Sequence, residues 1–148
     1  MTAVPNPSNE EIGDILKRVR TIAVVGASTN PQKEAHTVPA FMKSQGYRII
    51  PINPNADEIF GEKAYPSLTD LPEDLVKEVD MVNLFRPGDQ VGPHVEAAIE
   101  LDIPIVWMQQ GIRNDEWAGK AKAAGLTVVQ DLCIRMAYQY FKAKWELS

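Results

Sequence analysis

The chain has 148 residues, 45% hydrophobic and 24% charged, which supports one globular domain with a core and excludes wholesale disorder. Fifteen Lys and Arg against twenty Asp and Glu give a net charge of −5, so a surface for nucleic acid is not expected and any bound anion must be held by local groups. No apolar run approaches the roughly 20 residues that span a bilayer, and the amino end lacks the basic start and apolar middle of a secretory signal, so a cytoplasmic protein with no membrane partner is expected.

Residues 1–7, with two prolines and no charge, read as a flexible leader, and residues 8–148 as a single domain. Ser8 and Glu11 have capping-box spacing. Ile12, Ile15, Leu16 and Val19 recur at i, i+3, i+4 and i+7, which predicts a helix with one apolar stripe. Five apolar, largely β-branched runs follow, at 22–25, 48–52, 81–85, 103–107 and 126–129. Their hydrophobicity is nearly continuous rather than alternating, as in parallel strands covered on both faces.

Helical stripes separate these runs. Val38, Phe41 and Met42 form one that closes at Gly46, and its start is expected near Thr37 because Pro39 is disfavoured deep in a helix. Val91, Val95, Ala98 and Ile99 form a second; Trp117, Ala118 and Ala121 form a third, opened by Asn114 and closed by Gly125. Residues 64–75 read as a short extended piece followed by one or two helical turns. In the tail, Tyr138, Tyr140, Phe141 and Trp145 have the spacing of a helix packed by one face, with a partner surface as the other reading.

Strand and helix alternating in this way predict an α/β fold, a Rossmann-like, doubly wound parallel sheet of five strands with helices on both faces. Ligands in such sheets bind beyond the carboxyl ends of the strands, where the strand order reverses. The segments there, 26–33, 53–55, 86–88, 109–113 and 130–133, are polar and rich in Gly, Pro and Asn. Gly26 permits close backbone approach, Ser28 and Asn30 offer hydrogen bonds and Lys33 a positive charge, the parts of an anion cradle. The full Gly-x-Gly-x-x-Gly of dinucleotide sites is absent, and Asn53 stands where an acidic residue would bind the ribose of NAD. NADP stays open, with Lys33 or Arg48 as partner of its extra phosphate.

Six stretches in order, Ile22-Ala-Val-Val-Gly-Ala-Ser28, Ala35-His-Thr-Val-Pro39, Gly46-Tyr-Arg-Ile-Ile-Pro-Ile-Asn-Pro54, Val82-Asn-Leu-Phe-Arg-Pro87, Val106-Trp-Met-Gln-Gln-Gly111 and Asp131-Leu-Cys-Ile134, together resemble the small stand-alone CoA-binding proteins. That family is similar to the CoA-binding domain of the succinyl-CoA synthetase α subunit and of ADP-forming acyl-CoA synthetases. The resemblance covers about residues 15–141. It implies that Gly26, Ala27 and Ser28 approach the CoA diphosphate with Lys33 near phosphate. It further implies that Asn53 and Pro54 border the adenosine half. Phe85, Arg86 and Pro87 would wall the adenine and the start of the pantetheine, and Gln110 and Gly111 line the path of the arm.

Several of these residues have a second reading. Arg86 could instead pair with Asp89 or Asp80, Phe85 reads as partly core, and His36 as a helix-start residue satisfying local backbone rather than phosphate. His94 and Glu96 read as a solvated helix face. Cys133 reads as an inert buried thiol, with a mixed disulfide to the CoA thiol as the sharper alternative. No catalytic constellation or metal cluster stands out: Ser28 lacks the nucleophile elbow, and the resembling synthetases place their phosphorylated histidine and nucleotide-binding domain beyond the CoA-binding part. The expectation is a module that binds free CoA or acyl-CoA without catalysis of its own. A small NADP-dependent oxidoreductase and a nucleotide-responsive interaction protein are the alternatives.

Overall fold

The computed structural model describes residues 2–147. In chain order these form α1 (Asn9–Arg18), β1 (Thr21–Val25), α2 (Glu34–Ser44), β2 (Arg48–Ile52), β3 (Glu58–Ile59), β4 (Glu62–Lys63), α3 (Glu73–Val76), β5 (Met81–Leu84), α4 (Gly92–Glu100), β6 (Ile105–Met108), α5 (Asp115–Ala123), β7 (Thr127–Val129) and α6 (Ile134–Leu147). Short 3-10 turns at Leu68–Asp70 and Gly88–Gln90 precede α3 and α4. The five strands expected from the sequence pair in one all-parallel sheet, in the order β2-β1-β5-β6-β7. β1 therefore has β2 on one side and β5 on the other, and the strand order reverses between β1 and β5.

Side chains alternate across the strands, so each strand feeds two cores. Ile22, Val24, Ile49, Met81 and Trp107 join residues of α1, α2 and α6 on one face. Ala23, Val25, Ile50, Val82, Leu84 and Val106 join residues of α4 and α5 on the other. That double covering is why the strands read as continuous apolar runs. Ser8 caps α1 by accepting from the Glu11 amide at 3.2 Å. In α6, Tyr138 and Phe141 are buried and Trp145 packs on them, while Tyr140 is exposed, so the tail does turn one face to the domain. No helix among the described residues is long and apolar enough to cross a membrane.

Three features differ from the expectation. First, α2 begins at Glu34, about one turn before Thr37, and carries Pro39 inside it. Pro39 lacks the N–H that would bond the Ala35 carbonyl. That carbonyl instead accepts from the Ser28 amide at 3.1 Å, so the loop after β1 supplies the bond that the proline removes. Second, β3 and β4 form a small antiparallel hairpin turned at Phe60 and Gly61, both with positive φ. Its two-residue strands are too short to carry a periodicity.

Third, the leader is stitched to the domain; Met1 lies outside the described residues. Asn6 exchanges two bonds with the backbone of Gln130, donating to its carbonyl at 2.8 Å and accepting from its amide at 2.7 Å. This occupies backbone groups just past the end of edge strand β7. The Val4 amide donates to Asp115 Oδ1 at 2.9 Å, and the Val4 carbonyl accepts from Arg113 and Gln130. The bond from the Val4 amide, then those from Gln130 and Arg113, hold the Asp115 carboxyl below its ordinary range. Because the folded form prefers the carboxylate, this tether is present above the ordinary aspartate pKa and is lost as pH falls through the lowered one. Protection of the Val4 amide against hydrogen exchange is expected to fall in Asp115→Ala at neutral pH, with the core unaffected. Unchanged protection there would show that Asp115 does not hold the leader.

Candidate functional site

The turns leaving the sheet are tied to one another in the order of the strands. Asn53, just after β2, donates from Nδ2 to the Ala27 carbonyl at 2.8 Å, while its Oδ1 accepts from the Asn55 amide at 2.7 Å. Both ends of this amide are thus used in joining and shaping the β2 and β1 turns, and Asn53 positions rather than offers a free side chain. Gly26 joins β1 to β5. With φ at +85°, it brings the chain so close that a Cβ would lie 3.0 Å from the Phe85 carbonyl oxygen and 3.1 Å from Arg86 Cδ. At Gly88 an added Cβ would lie 2.4 Å from the Arg113 carbonyl oxygen, which also packs the β5 turn against the β6 turn. Asn114 Nδ2 donates to the Gly88 carbonyl at 2.9 Å, and the Gly111 amide donates to Asp131 at 2.6 Å, linking the β6 turn to its neighbours on either side.

A cleft of about 580 Å3 opens over the ends of β1, β2 and β5, at the reversal point of the sheet and within the size range of small-molecule sites. Of the residues singled out in the sequence, Gly26, Ala27, Ser28, Lys33, Asn53, Pro54, Phe85 and Arg86 line it together. Pro87, Gln110 and Gly111 do not. Pro87 opens the 3-10 turn after β5, and Gln110 and Gly111 are exposed beyond β6. Phe85 is half-buried against the core, as its partly core reading expects, and also lines the cleft. Val25, Ala35, Ile52, Asn55, Pro66 and His94 complete the lining.

The loop from β1 to α2 is shaped from within. Ser28 Oγ accepts from the Asn30 amide at 3.0 Å, which leaves the hydroxyl hydrogen free to donate, and Asn30 Oδ1 accepts from the Gln32 amide at 2.9 Å. His36 Nδ1 lies 2.6 Å from the Ser28 carbonyl oxygen. A carbonyl only accepts, so Nδ1 carries the hydrogen, and the imidazole serves the local backbone. Lys33 is the N-cap of α2 and makes no side-chain cap, and Lys33 and Ala35 bring this end of the helix, with Glu34 in its first turn, to the cleft lining.

Arg86 donates to Gln90 Oε1 at 2.6 Å. Among the described residues it forms no ion pair, which removes the pairing with Asp89 or Asp80. Asp80 is engaged elsewhere, accepting from the Arg20 and Thr21 amides at the start of β1. Arg48 is the first residue of β2, at the opposite end of the sheet, and is paired with Glu62 and Glu78. It cannot serve the cleft, which removes one of the two cations considered for NADP. His94, taken from the sequence as part of a solvated face, is half-buried and lines the cleft. The signal that could have found it is positional: it stands in the first turn of the helix that follows β5, and such turns begin at the ligand edge of the sheet. Cys133 is half-buried against the core just before α6.

Among the described residues no carboxylate lines the cleft, whereas Lys33, Arg86 and His94 do. In a chain of net charge −5, this segregation makes the cleft suited to an anion. Apolar surface from Ile52, Pro54, Pro66 and Phe85 lies beside the charges. Residues 20–139 match the model of a family described as CoA binding domain.

This chain belongs to the CoA-binding domain family. It is 42% identical over 137 residues to the uncharacterized protein YneT of Bacillus subtilis, covering 93% of this chain and 98% of that one. It is 38% identical over 80 residues to the ADP-forming acetate–CoA ligase II of Archaeoglobus fulgidus, a match that takes in 53% of this chain but only 11% of the ligase. A solved structure from Thermus thermophilus, cell-free ID.343, superposes with a TM-score of 0.84 at 37% identity, covering 91% of this chain and 99% of that one. The chain thus matches one relative over nearly its whole length and another, the ligase, over a small segment.

Proposed function

We propose that this protein binds coenzyme A or an acyl-CoA across the cleft at the ends of β1, β2 and β5, as a cytoplasmic ligand-binding module without catalysis of its own. The observation that carries this reading is the cleft lining, which combines cations, a helix start without a side-chain cap and apolar walls with no carboxylate among the described residues. CoA needs all of these: it is a polyanion with a flat base and an amphipathic arm. In this reading Gly26, Ala27 and Ser28 receive the diphosphate, Lys33 neutralises phosphate, and Pro54 borders the adenosine while Asn53 holds the two turns together. Phe85 and Arg86 form the wall, and Pro87 backs it where the 3-10 turn after β5 begins. Gln110 and Gly111 line the route of the arm after it leaves the cleft, toward the turns of β6 and β7. Family membership supports the ligand class.

Ligand-dependent thermal unfolding tests the reading. A ligand at about 100 times its Kd stabilises the folded form by about 2.7 kcal/mol, so CoA is expected to raise the midpoint and NADP(H) to leave it unchanged. A shift produced by NADP(H) alone would overturn the assignment. Lys33→Ala and Arg86→Ala are each expected to weaken CoA binding about 10-fold or more, with Lys33→Ala the larger loss, since hydrogen bonds to charged groups contribute about 1.5–3 kcal/mol. Titration calorimetry reads both, and an unaltered affinity in the two variants would place the ligand elsewhere.

A further inference from the structure

Beside the two cations of the strand-end turns, the cleft carries an imidazole. His94 lies in the first turn of α4, half-buried, on the lining that also includes Arg86. Burial first, and the positive charge of Arg86 second, hold its pKa below the ordinary histidine value, so the ring is neutral in the free protein near neutral pH. α4 packs on α5 and on the 3-10 turn at Leu68–Asp70. The acidic groups there that have partners are directed elsewhere: Asp70 accepts from Ser67, and Asp115 from Arg113, Gln130 and Val4. Glu116, Lys120 and Lys122 are the other charged groups of α5, with Lys120 over the Trp117 ring at 4.2 Å, and the charge that lowers the pKa of His94 is that of Arg86. Among the described residues Lys33 is the other cation of the cleft and no carboxylate lines it.

We propose that His94 is a proton-coupled ligand contact: an anionic group of the bound molecule seats against Arg86 and the imidazole together, and binding draws one proton from solvent onto the ring. The proposal rests on the CoA reading and adds a residue and a regulatory variable to it. The physical cause is a change in the field at the ring. In the free cleft Arg86 repels a proton on His94; an anion placed between them offsets that repulsion and accepts the hydrogen bond that the imidazolium donates. Affinity therefore rises as pH falls through the range where the ring is neutral in the free protein and protonated in the complex. Below that range both forms are protonated and the dependence ends.

The test is CoA titration by calorimetry on the wild-type chain and His94→Gln, between about pH 8 and about pH 5.5 and in buffers of differing ionisation enthalpy. The comparison cancels protons released by the ligand's own phosphates, which titrate in the same range and are held deprotonated by the cations of the cleft. Wild type is expected to gain several-fold in affinity relative to His94→Gln as pH falls, and to take up more protons on binding at neutral pH. Equal proton uptake and parallel pH profiles in the two proteins would overturn the proposal, even with CoA tightly bound. Absence of CoA binding by wild type at every pH in this range would instead sink the CoA reading on which it stands. NMR titration of the His94 ring gives an independent measure that does not need the variant: its pKa is expected to rise on adding CoA, and an unmoved pKa would count against the coupling.

Discussion

Gly26→Ala is expected to abolish the CoA-dependent rise in the unfolding midpoint and to lower stability by about 1–3 kcal/mol, the usual cost of holding a non-glycine residue at positive φ. Two separate constraints meet at this position. The backbone is at φ +85°, and the space that a Cβ would occupy is 3.0 Å from a backbone oxygen, that of Phe85. Arg86 Cδ at 3.1 Å can swing aside because it belongs to a flexible side chain; the Phe85 carbonyl cannot without moving the end of β5. Relief therefore pushes the β1 turn away from the β5 turn. It also strains the Gly26 amide bond to the Ile52 carbonyl, now 3.0 Å. The floor of the cleft is made where these turns meet, so stability and ligand response fall together. Denaturant titration with and without CoA measures both, and a Gly26→Ala protein of wild-type stability with an undiminished CoA response would show that the close approach has no role.

Trp107→Ala carries the largest expected loss of stability, about 3–5 kcal/mol, a fall in the thermal midpoint on the order of 10 °C for a domain of this length. Trp107 is fully buried in β6 beneath α6, and its removal leaves a large apolar void. Its indole N–H also donates to the Leu132 carbonyl at 2.7 Å, which pins the turn before α6. Its carbonyl accepts from Asn83, whose amide also reaches Gln109, and Gln109 Oε1 accepts in turn from the Ile134 amide at the start of α6. Trp107→Phe keeps most of the ring volume and removes the indole donor, so it separates the two contributions. A loss of only about 1 kcal/mol in the phenylalanine variant is expected if packing dominates. A loss in Trp107→Ala no greater than that would mean the surrounding helices close over the void.

The strands, the sheet type and the apolar stripes of α1, α4 and α5 were legible because each is a local pattern repeated along the chain: runs without alternation for doubly covered strands, spacing near 3.6 for helices. The place of the cleft was legible for a related reason. Once strand and helix alternate, the reversal of strand order and the carboxyl edge follow from topology, and the turns after β1, β2 and β5 are brought together there. What resisted reading was whatever depends on a partner distant in sequence. Pro39 looked like a bar to an early α2 because its missing hydrogen bond is made good by Ser28, from outside the helix. The leader looked loose because its tethers, Asp115 and Gln130, stand more than a hundred residues away.

By itself, then, the order of amino acids determined the α/β class, the five parallel strands and the edge of the sheet where a ligand belongs, because these follow from local periodicity and from rules of connection, while the family showed in six motifs taken together. Tertiary structure alone decided which polar groups remain available at that edge. It used one end of the Asn53 amide to join two turns and the other to shape its own, put Arg48 at the wrong end of the sheet, left Arg86 without a carboxylate partner among the described residues and turned His94 into the cleft. The reason is that a hydrogen bond or a charge is directional and short-ranged: its availability depends on what lies within a few ångströms in space, and spacing along the chain does not encode that.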